Sequence, residues 1–256
     1  MTAKSYDWEG GAILEPHTKK KHKVLKEYFR QYLITRCQLP QQNRFRLVVV
    51  DGFAGGGLYE CGSYGSPLIF VDVLLATATE INTTRAVNGL GPINIECLLL
   101  LNDYDRSVVE LLKKNIAPLL VGTKEESSHT IVEVEFYNGK FEYLYWGEIK
   151  SRILRANCRN VFFNLDQCGY SNVTSPIIRD IIFSWKSAEI ILTFMIASML
   201  AYLSPKSGSS GVPLEPEIKA KIDALLHNNQ INKKEWLAES EKVVFEFLKG
   251  CAPFVS

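Results

Sequence analysis

Leu47-Val48-Val49-Val50 runs straight into Asp51-Gly52-Phe53-Ala54-Gly55-Gly56-Gly57, and this junction constrains the fold more than any other part of the chain. Four apolar residues in a row, three of them β-branched, fit a strand buried on both faces, as in a parallel sheet covered by helices. The glycines let the backbone approach a ligand closely and take positive φ, which a Cβ would forbid. An acidic residue leading into such a turn at a strand's carboxyl end is the arrangement made around nucleotide-like ligands. Asp51 would there accept hydrogen bonds from a cationic amine or a hydroxyl. The dinucleotide fingerprint G-x-G-x-x-G is not completed, because counting from Gly55 and Gly57 puts Glu60 at the third glycine; this weakens NAD or FAD as the ligand. A plain glycine-rich connector is the alternative reading of the same residues.

The flanking segments repeat strand and helix. Val24, Leu25, Tyr28, Phe29, Tyr32 and Leu33 recur at helical spacing, behind a basic opening of His17, Lys19, Lys20, Lys21, His22 and Lys23. That opening reads either as a solvated helix end or as a phosphate-contacting surface. Gly65-Ser66-Pro67 predicts a helix start with Ser66 as cap, and Leu58–Tyr64 before it an extended insertion able to serve as a lid. Asn82 to Asn94 reads as a polar connector. Cys97–Leu101 predicts the second strand, ending at Asp103, where a carboxylate can accept both hydroxyls of a ribose; helix capping is the alternative for Asp103 and more so for Asp105. Ile131–Tyr137 alternates apolar and acidic residues as an edge strand does and ends at Asn138-Gly139, a turn or an adenine-facing amide. Val161–Leu165 feeds Asp166-Gln167-Cys168-Gly169-Tyr170, and Glu189–Phe194 is the fifth strand, within the apolar stretch Ile190–Leu203 that reads as buried.

Five such units predict an α/β fold with a mostly parallel sheet and helices on both faces. Residues 1–203 form this domain, and 204–256 a helical appendage with helices at 217–226 and 233–248 and a chain end that reads as shortened. With 46% hydrophobic and 22% charged residues, disorder is excluded, and a net charge of +1 argues against nucleic-acid binding by bulk electrostatics. Six cysteines without a C-x-x-C pair predict no metal site and reduced thiols, hence a cytoplasmic location. Ile190–Leu203 is too short to span a bilayer, so no membrane is expected. Cys168 reads as a structural thiol ahead of a nucleophile, since no activating base is identifiable.

The spacing Asp51-x-Phe53-x-Gly55-x-Gly57 resembles the first motif of class I S-adenosylmethionine methyltransferases, in the form found in DNA methyltransferases. Together with Gly65-Ser66-Pro67, Lys21-His22-Lys23 followed by Leu25 and Tyr28, and Asp166-x-x-Gly169-Tyr170, it is similar to the three-Cys-motif partner protein family of bacteria and mobile elements, over roughly residues 8 to 203. The resemblance implies a Rossmann-like methyltransferase fold and S-adenosylmethionine as cofactor, held by Asp51, Gly52, Phe53, Gly55, Gly57, Asp103 and Asn138. It implies Asp166 and Tyr170 at the methyl acceptor, with a nucleic-acid base amine favoured, and a radical-S-adenosylmethionine-type partner carrying three cysteines. Gln167 and Cys168 replace the middle of the family's Asp-Pro-Phe-Gly pattern, which leaves a non-catalytic partner subunit as the second reading. A nicotinamide oxidoreductase is a weaker third.

Overall fold

The computed structural model describes residues 7–8, 10–124, 129–167 and 172–193, with single helical positions between 216 and 242. The chain divides into two compact units, 1–166 with 187–192 and 167–186 with 193–256. The first unit carries a five-stranded, all-parallel sheet. Its strands are β1 (Arg44–Asp51), β2 (Asn94–Asp103), β3 (Thr130–Asn138), β4 (Asn160–Asp166) and β5 (Ser187–Thr193), in the order β3-β2-β1-β4-β5. The order reverses between β1 and β4, which in open α/β sheets is where ligands bind at the carboxyl ends.

Alternation along β1 sorts its side chains onto two covered faces. Leu47 and Val49 join Leu99, Leu101 and Phe162 in one apolar cluster with α1 (Pro16–Arg36), α2 (Ser66–Val87) and α3 (Arg106–Ile116). Phe162 is its hub, with ring centroids 5.2 Å from Phe29, 5.5 Å from Tyr32 and 5.7 Å from Phe70. Phe163, one residue on, faces the other way toward Tyr145 at 6.3 Å. That side is covered by a continuous helical stretch, α4 (Phe141–Leu144), a π turn (Tyr145–Ile149) and α5 (Lys150–Ala156), which buries Phe141, Tyr145, Ile149 and Ile153. Each such buried side chain contributes roughly 1.5–3 kcal/mol. The expected edge strand is β3, and helices on both faces are present as read. β5 departs from the reading as buried, since it is half-buried along its length.

Two boundaries differ from expectation. The helix cap before Pro67 is Gly65, with Ser66 in the first turn, so the Ser66 side chain is released toward Asp51. More substantially, α2 runs on through the supposed connector to Val87. Its polar residues are tied rather than loose: Asn82 accepts from the Ile93 backbone N–H at 2.8 Å and donates to its carbonyl at 3.1 Å. The buried Arg85 guanidinium donates to the carbonyls of Gly91, Leu39, Pro40 and Gln42 at 2.7–3.1 Å. Gly89, at φ +68°, closes the helix with Leu90 N–H bonded to the Arg85 carbonyl at 2.8 Å, a Schellman ending. In the second unit, α6 (Ser175–Ser184) follows a loop in which the Gln167 side chain accepts from the Asn172 and Val173 N–H groups at 2.9 and 3.0 Å. The expected helices at 217–226 and 233–248 lie outside the described residues but for scattered helical positions. No described helix is long and apolar enough to cross a membrane.

Arg85→Ala strands four carbonyls at once, so a loss of about 2–4 kcal/mol in urea unfolding is expected, with Arg85→Lys recovering only part of it. Equal stability of Arg85→Ala and the parent would show that water satisfies these groups.

Candidate functional site

Asp51 closes β1 between the ends of β2 and β4. Its carboxylate is completely buried, with one oxygen accepting from the Asn164 amide at 3.2 Å and more weakly from the Phe53 N–H at 3.4 Å. The other oxygen has no hydrogen-bond partner, although the nearby Ser66 hydroxyl draws the pKa down. Burial outweighs these contacts and the adjacent Asp166 carboxylate adds to it, so the Asp51 pKa is pushed up to about 7.

The glycine loop is held from both neighbouring strands. Gly52 N–H bonds the Asn164 carbonyl at 3.0 Å, and Ala54 N–H the Asn102 carbonyl at 2.8 Å. Asn102, itself buried, donates through its side-chain amide to the carbonyls of Gly52 and Gly139 at 3.0 and 3.2 Å, leaving the side-chain oxygen unpaired. Gly55 and Gly57 take φ of +63° and +79°, conformations that L side chains rarely adopt. A Cβ on Gly57 would also stand 2.5 Å from Leu68 and 2.7 Å from Leu112. Over Gly55 and Gly56 lies the Trp8 indole, packed against Tyr59 at 5.1 Å. Tyr59 belongs to the insertion, which folds back as a small hairpin through a Leu58–Tyr64 bridge and is tied to the amino-terminal strap by Glu60 N–H on the Ala12 carbonyl at 3.0 Å.

Asp103 faces this loop from β2. One carboxylate oxygen accepts from Gly55 N–H at 2.9 Å and the other from Asp105 N–H at 3.0 Å, and desolvation raises its pKa. Each oxygen keeps lone-pair capacity for a further donor. Helix capping falls to Asp105, which accepts from the Ser107 N–H at 2.8 Å. Asn138, exposed at the end of β3, donates to the carbonyls of Asp103 and Tyr104 at 3.0 and 2.9 Å, so its donor capacity is spent locally and its oxygen remains available.

At the end of β4, Asp166 receives the Lys21 ammonium on both carboxylate oxygens at 2.6 Å, the two side chains being 26% and 35% exposed. The next residue on α1, His22, lies 5.7 Å from the Tyr59 ring, and its pKa is lowered to about 4 by burial, against the pull of Asp166. It is a neutral imidazole at neutral pH.

Comparison of the chain with protein-family models, with curated proteins and with solved structures finds no match. The site therefore rests on its own geometry. The described structure gathers Asp51, Gly52, Phe53, Gly55, Gly57, Asp103 and Asn138 at adjoining strand ends, with Asp166 one strand over and held by Lys21. Tyr170 and Cys168 lie outside the described residues. Asn102, Asn164 and Trp8 were not singled out from sequence. The two asparagines sit one and two residues before Asp103 and Asp166, inside strands otherwise apolar, and an isolated buried amide there is the signal that could have found them. Among the described residues, no group of three or more His, Cys, Asp or Glu could hold a metal ion.

The Asp51 pKa gives a signed expectation. It exceeds the unfolded value, so the folded state holds the extra proton between about pH 4 and 7; this contribution to stability is full below pH 4 and lost as pH rises through 7. Asp51→Asn should remove that loss, making the variant more stable than the parent at pH 8 by up to about 4 kcal/mol and near parity at pH 4. Parallel urea curves at the two pH values check this, and a parent–variant gap that does not change with pH would show that Asp51 is ionised throughout.

Proposed function

We propose that the chain is an S-adenosylmethionine-dependent methyltransferase-like protein of Rossmann-like fold, acting on an amine acceptor, with a nucleic-acid base favoured. The observation that carries this reading is the buried Asp51 carboxylate with one oxygen unpaired, set at the reversal of the strand order beside a glycine loop in left-handed conformation. A buried unpaired carboxylate oxygen is costly unless a ligand completes it. The ammonium of an amino-acid moiety is a fitting complement.

The remaining residues fit the same group. Asp103 retains the lone pairs to accept two ribose hydroxyls, and Asn138, with its donor spent, offers its oxygen to an adenine amine. Gly52, Phe53, Gly55 and Gly57 supply a backbone wall, and Trp8 over Gly55 and Gly56 is the side chain that yields or stacks as the ligand enters. S-adenosylmethionine supplies an electrophilic methyl group on a sulfonium. Asp166 holds the acceptor nitrogen by hydrogen bonding and orients its lone pair, a positioning role. That it binds an amine is supported by Lys21, whose ammonium it already accepts.

The Lys21–Asp166 pair also favours a second reading, in which the fold is kept without turnover and the chain serves as a subunit for a partner carrying the three-cysteine motif. Gln167 and Cys168 in place of a rigid proline point the same way. Transfer of labelled methyl groups to a mixed pool of RNA and DNA separates the two readings, since a subunit of this kind binds the donor and transfers nothing.

Calorimetry with S-adenosylmethionine and with its demethylated product tests the shared premise. Because the ammonium needs an ionised Asp51, affinity should rise nearly tenfold from pH 5 to 6, less steeply to 7, and stop rising near 8, where an α-ammonium itself begins to lose its proton. Asp51→Ala should weaken binding by about 100-fold, a buried charged hydrogen bond being worth roughly 1.5–3 kcal/mol. Tryptophan fluorescence should change on binding, and Trp8→Phe should abolish most of the change. No binding heat in the parent protein overturns the reading.

A further inference from the structure

We propose that the outer face of α1 is a docking surface for the sugar-phosphate backbone of a single-stranded nucleic acid, with Lys19, Lys20, Lys23 and Lys26 as the phosphate contacts. The helix buries Thr18, Leu25, Phe29, Tyr32 and Leu33 on one side. Lys19, Lys20, Lys23 and Lys26 are all exposed. Lys19, Lys23 and Lys26 follow the four- and three-residue steps of a single helical stripe, with Lys20 beside it.

Among the described residues no ion pair compensates the charge on this stripe, whereas several arginines of the same unit are paired. Arg30 pairs with Glu80 at 2.6 Å, Arg44 and Arg46 with Glu96, and Arg152 with Glu135. Among the described residues none of the four lysines has a carboxylate partner. The nearest acids in sequence are already engaged, Glu15 with His17 at 3.2 Å and Glu27 with Arg30 and Gln31. In a chain of net charge +1, a stripe of four free cations is a local surplus and not a reflection of bulk composition.

Placement selects the partner. From Lys19 to Lys26 the helix rises about 10 Å, so the four ammonium groups meet one short run of a phosphate backbone. His22, three residues after Lys19 and four before Lys26, packs against Tyr59, so a strand lying along the stripe passes the insertion at the rim of the strand-end site, while Lys21 reaches Asp166 from the helix's other flank. Delivery of a base to the part-buried Asp166 requires that base to be out of a duplex stack, which favours a single strand. This last step rests on the amine-acceptor reading; the phosphate contacts do not.

Fluorescence anisotropy with a labelled 20-nucleotide DNA of mixed sequence, titrated from 50 to 200 mM salt, tests the proposal. Four phosphate contacts predict a log–log salt slope near −3 from the stripe, so the parent should lose about 50-fold in affinity over that range. Lys→Gln at all four positions should remove most of that slope, and the pairs Lys19→Gln/Lys23→Gln and Lys20→Gln/Lys26→Gln about half each, which keeps the test sound if the fourfold variant fails to fold. Absent binding at 50 mM salt, an unchanged slope in folded variants, tighter binding of the corresponding duplex, or equal competition by polyglutamate each overturns it. Calorimetry with S-adenosylmethionine on the same variants should be unaltered. Oligonucleotide binding by a parent protein that takes no methyl donor would uphold the docking surface while sinking the methyltransferase reading.

Discussion

A carboxyl group at the buried end of the central strand governs the architecture around it. Placing Asp51 out of water is unfavourable unless it is protonated or completed, and the chain answers only in part, with one amide from β4 and one distant backbone N–H on one oxygen, while the Ser66 hydroxyl of α2 lies near and the other oxygen stays unpaired. These partners explain otherwise odd features. Asn164 interrupts an apolar strand because Asp51 needs a donor across the β1–β4 pairing. Ser66 gives up the capping position expected of it, and Gly65 takes it. The strand order makes β1 the neighbour of both β2 and β4, so the same strand end is flanked by Asp103 and Asp166.

Much of this was legible in sequence because the relevant physics is local. Val48 to Val50 had to be buried on both faces, Asp105 could cap the helix two residues ahead of Ser107, and the acidic alternation of β3 fitted an edge. What was not legible depends on residues far apart in the chain. The polar run Thr83-Thr84-Arg85 reads as a connector until Arg85 is seen to bind carbonyls of the segment before β1, more than 40 residues away. Lys21 reads as one solvated lysine among five until Asp166, 145 residues on, is seen to hold it. Trp8 over the glycine loop carries no periodic signal, because its segment belongs to no regular element.

The same contrast separates the site's parts by how firmly they are built. Asp103 and Asn138 are fixed by backbone groups of adjacent turns, so their free lone pairs point where the β2 and β3 ends dictate. Trp8 and the Leu58–Tyr64 hairpin instead cover the loop through ring packing, Trp8 on Tyr59 and Tyr59 on His22, with backbone bonds within the hairpin and to the amino-terminal strap.

Lys21 and Asp166 then acquire a particular thermodynamic meaning. A part-buried ion pair broken on one side leaves the other charge poorly solvated, so Asp166 alone would be an unfavourable state. Exchange of Lys21 for another amine avoids that state, because one cationic or polar N–H donor replaces another and the carboxylate is never left bare.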